Sequence, residues 1–202
     1  PFISLLVSGG HTILSSITDK SNYKILGKTL DDSAGEVFDK VARHLGLPYP
    51  GGPEISNASS KISSSSFKFP RPMINTNCYD FSFSGLKTHV TQLINKTTLT
   101  DELISDISYD FENAILDVLI SKTLKASNDL NISDIVISGG VSANKRLRER
   151  FEKEKNEKNI YFPDLAFSTD NGAMIAYMGW LKYYDNNNDS LEINPKPTSS
   201  LA

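Results

Sequence analysis

The chain has 202 residues, 39% hydrophobic and 22% charged, with a formal net charge of −3 and a single cysteine, Cys78. That length fits one large domain or two small ones and is enough to bury a real core. No apolar run approaches a membrane span, the charge excludes a protein that grips nucleic acid through its own basic field, and one cysteine excludes an internal disulfide or a Cys-based metal site and favours a reducing compartment.

The chain opens on Pro1 rather than Met and reads as a fragment or processed product, with no signal-peptide pattern ahead of the first apolar run. Ile3 to Val7 predicts a strand apolar enough to be buried on both faces, and Thr12 to Thr18 its hairpin partner. Tyr23 to Lys28 fits a third strand. From Gly35 to Leu47 the period changes, and Val37, Phe38, Val41, Ala42 and Leu45 fall on one helical face. The prolines and glycines of 48–53 end that helix in a loop, and the polar run 59–66 reads as a surface loop. Phe81 to Thr88 alternates and then enters a helix. Asp101 to Leu130 is helical, with Phe111, Ala114, Ile115, Val118 and Leu119 as its buried stripe. A short strand at Ile135 to Ser138, a charged helix from Ala143 to about Asn156, a strand at Ile160 to Pro163 and a helix at Gly172 to Tyr184 follow, and then a polar, loose tail from Asp185. Strands alternating with helices predict an α/β fold, a mixed sheet with helices packed against it.

Four stretches carry candidate chemistry, each with a plain structural alternative. Ser8-Gly9-Gly10 serves as a tight hairpin turn or as a phosphate cradle of bare backbone N–H groups. Pro50-Gly51-Gly52-Pro53 is a loop in which Gly52 lets a ligand lie against the backbone. Ser138 to Asn144 joins a strand to a helix, where α/β proteins place ligands, and Ser142 or Asn144 also serves as a helix N-cap worth about 1 kcal/mol. In Ser168 to Gly172, Asp170 is a helix cap or a single metal ligand. Asp39 stands four residues before Arg43, the spacing of an i,i+4 ion pair worth about 0.3–0.5 kcal/mol. The basic run Lys145 to Arg150, diluted by Glu149, Glu152 and Glu154, reads as a solvated helix face.

Taken in order, LVSGGHT, DDSAGEVFDKVARHLGLPYPGGP, FPRP, DFSFSGLKT, SGGVSANKRLR and STDNGAMIA resemble the TsaD-type family, the tRNA N6-adenosine threonylcarbamoyltransferases, from residue 1 to about 184. The compact PYPGGP loop and FSFSGLKT are closer to bacterial members than to archaeal or eukaryotic cytosolic ones. The resemblance implies the two-lobed actin-like ATPase fold shared with sugar kinases and heat-shock chaperone ATPases, with residues 1–184 as mostly the second lobe and 185–202 as a tail. It implies transfer of a threonylcarbamoyl group from threonylcarbamoyl-AMP to N6 of the adenosine beside the anticodon in tRNAs reading ANN codons, with AMP released. Leu6, Val7, Ser8, Gly9 and Gly10 are then expected along the phosphate and acyl part of the ligand, Asp39 and Gly52 on the ribose and adenine side, and Asn144 against the nucleotide. Asp170 is expected to ligate one divalent metal, iron ahead of zinc. No catalytic side chain is assigned, since an activated mixed anhydride needs positioning and polarisation more than a nucleophile. Accessory subunits of a tRNA-modification complex and a bacterial cytoplasmic setting, or else a mitochondrial matrix, go with the same resemblance.

The chain departs from the family pattern in one respect that affects the metal. The family's other ligands are two histidines, four apart, ahead of LVSGGHT, whereas His11, His44 and His89 have no such spacing. The first lobe and half the metal site are expected to lie outside this chain, which on its own is expected to be inactive. The tail INPKPTSSLA is also less basic than usual for the family. A small-molecule kinase of the same superfamily is the rival reading, separated by release of ADP instead of AMP. A metallopeptidase is disfavoured by the lack of H-E-x-x-H, and a catalytically silent scaffold lobe remains for a chain of this extent.

Overall fold

The computed structural model describes residues 1–20, 22–65, 67–185 and 192. Contacts divide the chain into two units, Pro1–Thr169 and Asp170–Ala202. The expected tail beyond Asp185 lies outside the described residues apart from Glu192.

In the first unit, β1 (Phe2–Val7), β2 (Thr12–Ile17), β3 (Tyr23–Lys28), β4 (Asp134–Ser138) and β5 (Asn159–Tyr161) form one sheet in the order β3-β2-β1-β4-β5. The first three strands pair antiparallel, while β1–β4 and β4–β5 are parallel, so the mixed sheet expected from the sequence is present. Register sets Leu5 beside Leu14 on one side and Ile137 on the other. Side chains alternate across a strand, and this row of apolar residues faces the core. Ile3, Leu5 and Val7 are fully buried. Phe2, Ser4 and Leu6, on the opposite face, are half-buried, so β1 is sealed on one face and not on both.

Among the described residues the same unit has the α-helices α1 (Ala34–His44), α2 (Gly51–Ser59), α3 (Ser84–Ile94), α4 (Asp101–Asp129) and α5 (Lys145–Glu154). The long α4 is the central element. It buries the expected stripe, but also Ile107, Leu116 and Ile120, because it packs against both β1 and α2. Phe111 meets Phe38 of α1 edge to face at 5.5 Å, a favoured arrangement for aromatic rings.

The structure corrects the reading of 48–53 as a plain loop. Gly51-Gly52-Pro53 is the first turn of α2. Proline is tolerated there because the first-turn N–H groups have no intrahelical partner. The alternating Phe81–Phe83 stretch leads into α3 as expected and forms a bridge between Phe81 and Thr29. The alternation there reflects two buried rings, Phe81 and Phe83.

The basic run of α5 is not a solvated face either. Arg150 Nη1 lies 2.6 Å from Asp117, and Arg71 of the FPRP segment reaches the same carboxylate at 2.8 Å. Arg148 donates to the carbonyls of Ser142 at 2.7 Å and Pro163 at 2.8 Å, with its guanidinium over Phe162. Arginine's fixed fork of donors suits this bracing between backbone segments. Of the basic residues in the run, Lys145 stays solvated, its side chain 90% exposed.

The adjacent Asp31 and Asp32 anchor the FSFSGLKT segment. Asp31 accepts from the backbone N–H of Phe83 at 2.8 Å and from the Ser82 hydroxyl, tying down the start of α3. Asp32 pairs with Lys40 of α1 and Lys87 of α3. Burial pushes the Asp32 carboxyl up, but hydrogen bonds from Lys40, Lys87 and Ser84 outweigh it and hold the group well below the usual carboxylate range.

The second unit contains α6 (Gly172–Tyr184), apolar on every side, with Ile175, Tyr177 and Trp180 exposed. Among the described residues no helix is long and apolar enough to cross a membrane.

Candidate functional site

The carboxyl ends of the adjacent parallel strands β1 and β4 open onto one cavity of about 530 Å³. Ligands in open α/β sheets sit outside strand ends of this kind, and the volume lies within the roughly 300–1,000 Å³ of small-molecule sites. Gly9 follows β1 and Gly140 follows β4, so each of the two Ser-Gly-Gly turns contributes a glycine to the wall. α1 adds Gly35, Phe38 and Asp39, and the α1–α2 corner adds Tyr49, Gly52 and Ser56. Asn144 and Lys145, at the start of α5, complete the lining on the β4 side.

The glycines divide by role. A Cβ on Gly35 would lie 2.6 Å from the Ser8 carbonyl, and one on Gly51 2.6 Å from Ala42 Cβ, so these two allow close packing. Gly139, at φ +91°, would place a Cβ 2.4 Å from Val7 O and adopts a backbone conformation that favours glycine. Gly9, Gly10 and Gly52 meet nothing within 4 Å. Packing therefore gives no reason for glycine at 9 and 52, and both line the cavity.

The N-terminus of α1 is spent on holding the first turn. Ala34 N donates to Thr12 Oγ1 at 2.9 Å, Gly35 N to Ser8 O at 3.1 Å, and the Ser33 hydroxyl to Gly9 O at 2.7 Å. The N-terminus of α2 has no side-chain cap of its own. Asp39 Oδ1 accepts from Gly51 N at 2.8 Å. The i,i+4 ion pair with Arg43 is not formed; Asp39 lines the cavity, and Gly52, also on its wall, is in the first turn of α2, where a backbone N–H has no intrahelical partner.

Asn144 is the N-cap of α5, its Oδ1 accepting from Leu147 N at 2.8 Å. Its Nδ2 donates to Ser56 Oγ at 2.9 Å and to Glu112 Oε1 at 2.7 Å. The amide thus has both donors engaged within the protein, and toward a ligand it retains the second lone pair of Oδ1 and its surface.

Of the residues singled out from sequence, the fold gathers Gly9, Asp39, Gly52 and Asn144 around this cavity. Leu6, Val7, Ser8 and Gly10 do not line it. Val7 is fully buried, Leu6 lies on the opposite face of β1, and the Ser8 hydroxyl accepts from Gly10 N at 3.3 Å and His11 N at 3.0 Å to hold the turn. Asp170 belongs to the second unit, exposed, one residue before Asn171, which is the N-cap of α6 in its place. Among the described residues no group of three or more His, Cys, Asp or Glu is placed to hold a metal. The donor set of these residues therefore does not by itself fit a metal site, since one carboxylate falls short of the three protein ligands usual in catalytic centres. Sequence reasoning missed Tyr49, Ser56 and Lys145 on the wall, which no motif of their own marks. It also missed Glu112, whose only signal is a charge inside the apolar pattern of α4.

The fold is an α/β lobe with a cavity at parallel strand ends walled by glycine turns. The sequence profile of the family "TsaD: tRNA N6-adenosine threonylcarbamoyltransferase" matches residues 1–177, and the chain belongs to that family. Relatives carrying that name are 48% identical over 185 residues in Thermosipho africanus, 50% over 188 in Persephonella marina and 46% over 204 in Buchnera aphidicola. These alignments cover 91%, 91% and 100% of this chain but 56%, 54% and 61% of the relatives, so the chain spans little more than half their length. A solved structure, the activator of the 2-hydroxyisocaproyl-CoA dehydratase from Clostridium difficile with bound ADPNP, aligns over 95% of this chain and 65% of its own with a TM-score of 0.49 and 12% identity.

Proposed function

We propose that this chain holds threonylcarbamoyl-AMP for transfer of the threonylcarbamoyl group to N6 of the adenosine beside the anticodon in tRNAs that read ANN codons. The observation that carries the reading is the convergence of Gly9, Asp39, Gly52 and Asn144, from four separate stretches of sequence, on one cavity. Family membership supplies the chemistry. In the transfer, the N6–carbon bond forms, the bond from the carbamoyl carbon to the phosphate oxygen breaks, N6 gives up a proton and AMP leaves. The chain's residues supply position. The Asp39 carboxylate accepts from ribose hydroxyls, Gly52 lets the nucleoside lie against the start of α2, and the Gly9 turn leaves room for the phosphate and acyl group.

The reading includes tRNA as acceptor, one divalent metal with Asp170 as the ligand offered from this chain and histidines from outside it, accessory subunits, and a bacterial cytoplasmic setting. No step is routed through the metal. The test supplies threonylcarbamoyl-AMP and unmodified tRNA to the longest native protein carrying this chain and looks for the modified adenosine by mass spectrometry. Modified nucleoside with stoichiometric AMP supports the reading, and ADP production from ATP with a small-molecule acceptor favours the kinase instead.

A further inference from the structure

Glu112 sits in the middle of α4 with 1% of its surface exposed. A buried carboxylate is costly unless several partners compensate it. Its presence therefore calls for a role beyond filling space.

The partners indicate that role. Glu112 Oε1 accepts from Ser56 Oγ at 2.6 Å and from Asn144 Nδ2 at 2.7 Å. Its Oε2 accepts from Ser59 Oγ at 2.7 Å and lies 3.3 Å from Arg146 Nη1, whose guanidinium covers the Tyr109 ring. Ser56 and Ser59 belong to α2, and Asn144 and Arg146 to the start of α5. A single carboxylate on α4 thus binds two separate walls of the cavity. Ser56 and Asn144 both line it and share the same oxygen of Glu112. With Oδ1 turned to Leu147 N, the Asn144 amide has one orientation that satisfies every bond.

We propose that Glu112 is a positioning residue of the ligand site: it sets the spacing between the α2 wall and the start of α5 and fixes the orientation of the Asn144 amide, without itself lining the cavity. This rests on the adenylate reading of the cavity. Removing the carboxylate leaves the donors of Ser56, Ser59 and Asn144 and the Arg146 guanidinium to find other partners, and the walls they belong to re-space. Glutamine keeps the oxygen that accepts from Ser56 and Asn144, while its amide N–H groups replace the oxygen facing Ser59 and Arg146, so it retains the Asn144 contact and loses the pairing with Arg146.

The experiment titrates AMP onto the chain by calorimetry, below the melting temperature of every variant, and follows the Asn144 side-chain amide protons by NMR. Glu112→Met is expected to weaken AMP binding roughly 10- to 100-fold, as for misplacement of a binding group from a distance, with the Asn144 amide protons shifted and exchanging faster. Glu112→Gln is expected to bind AMP more tightly than Glu112→Met and to keep the Asn144 amide signals close to wild type, since it retains the oxygen bonded to Asn144. Glu112→Met that binds AMP like wild type while folded overturns the proposal. If that variant does not fold, Ser59→Ala decides, since Ser59 does not line the cavity: a several-fold loss of affinity supports the proposal and unchanged affinity overturns it. Wild-type protein that fails to bind AMP sinks the adenylate reading itself, whereas binding indifferent to Glu112 sinks only this inference.

Discussion

Asp39, halfway along α1, accepts a hydrogen bond at 2.8 Å from the backbone N–H of Gly51, the first residue of α2. The bond substitutes for the side-chain cap that α2 lacks at Pro50. It also fixes one carboxylate oxygen of a residue that lines the cavity. Asp39→Ala is expected to lower adenylate affinity by about 1.5–3 kcal/mol, the worth of a hydrogen bond involving a charged group. Asp39→Asn, which keeps an acceptor for Gly51, should retain the melting temperature but lose part of the affinity. Calorimetric titration beside thermal melts separates the two effects, and an Asp39→Ala chain that binds like wild type would leave the residue as a helix cap only.

The glycines of the cleft should separate into two groups. Gly35→Ala and Gly139→Ala place a Cβ against backbone atoms at 2.6 Å and 2.4 Å, and each should cost about 1–3 kcal/mol of stability as overpacking. Gly9→Ala and Gly52→Ala meet no protein atom within 4 Å and should melt like wild type, yet lose nucleotide affinity because the methyl group takes ligand space. Melting curves and AMP titrations of the four variants check this. Equal affinity in the Gly52→Ala chain would count against a ligand lying on that backbone.

Asp32 gives the fold an acid sensitivity with a definite sign. Its folded-state carboxyl is held low by Lys40, Lys87 and Ser84 against the opposing effect of burial. A carboxyl depressed on folding stabilises the protein above its unfolded value, about 3.9, and that contribution is lost as pH falls through the lower folded value. Wild type should therefore exceed Asp32→Asn in stability at pH 7, with the gap narrowing once the pH drops below about 4. Urea unfolding at pH 7, 5 and 3 measures it, and a gap independent of pH would assign the loss to packing alone.

Arg148 holds the strand-to-helix turn from outside, bonded to Ser142 O and Pro163 O. Arg148→Lys keeps the charge but not the fork, and should destabilise by about 1–3 kcal/mol because one buried carbonyl loses its donor. Denaturant melts test this. A wild-type midpoint would mean that water replaces the guanidinium without cost.

Much of the framework was legible in the sequence because its signals are local. β1, β2 and β4 are short apolar runs, and α1 and α4 repeat their apolar residues at helical spacing. The PGGP segment was misread because proline and glycine break helices in their interior but not in their first turn. Arg150 and Arg148 were misread because a charged run looks solvated until distant partners, Asp117 and the Pro163 carbonyl, are brought to it. Of the site, Gly9, Asp39, Gly52 and Asn144 were legible as motif positions. Leu6, Val7, Ser8 and Gly10 belong to the same motifs but turn into the sheet, its core and the turn. Glu112 was not legible, since its partners lie 32 to 56 residues away in sequence.

The central claim is that the cavity between the two glycine turns is an adenylate site, and direct titration of threonylcarbamoyl-AMP, with AMP alongside, onto the 202-residue chain tests it most directly. The account predicts saturable binding of one equivalent of either nucleotide, weakened together by Asp39→Ala and by Gly52→Ala while both variants remain folded. A folded wild-type chain that takes up neither nucleotide, or one whose binding ignores both substitutions, would contradict it.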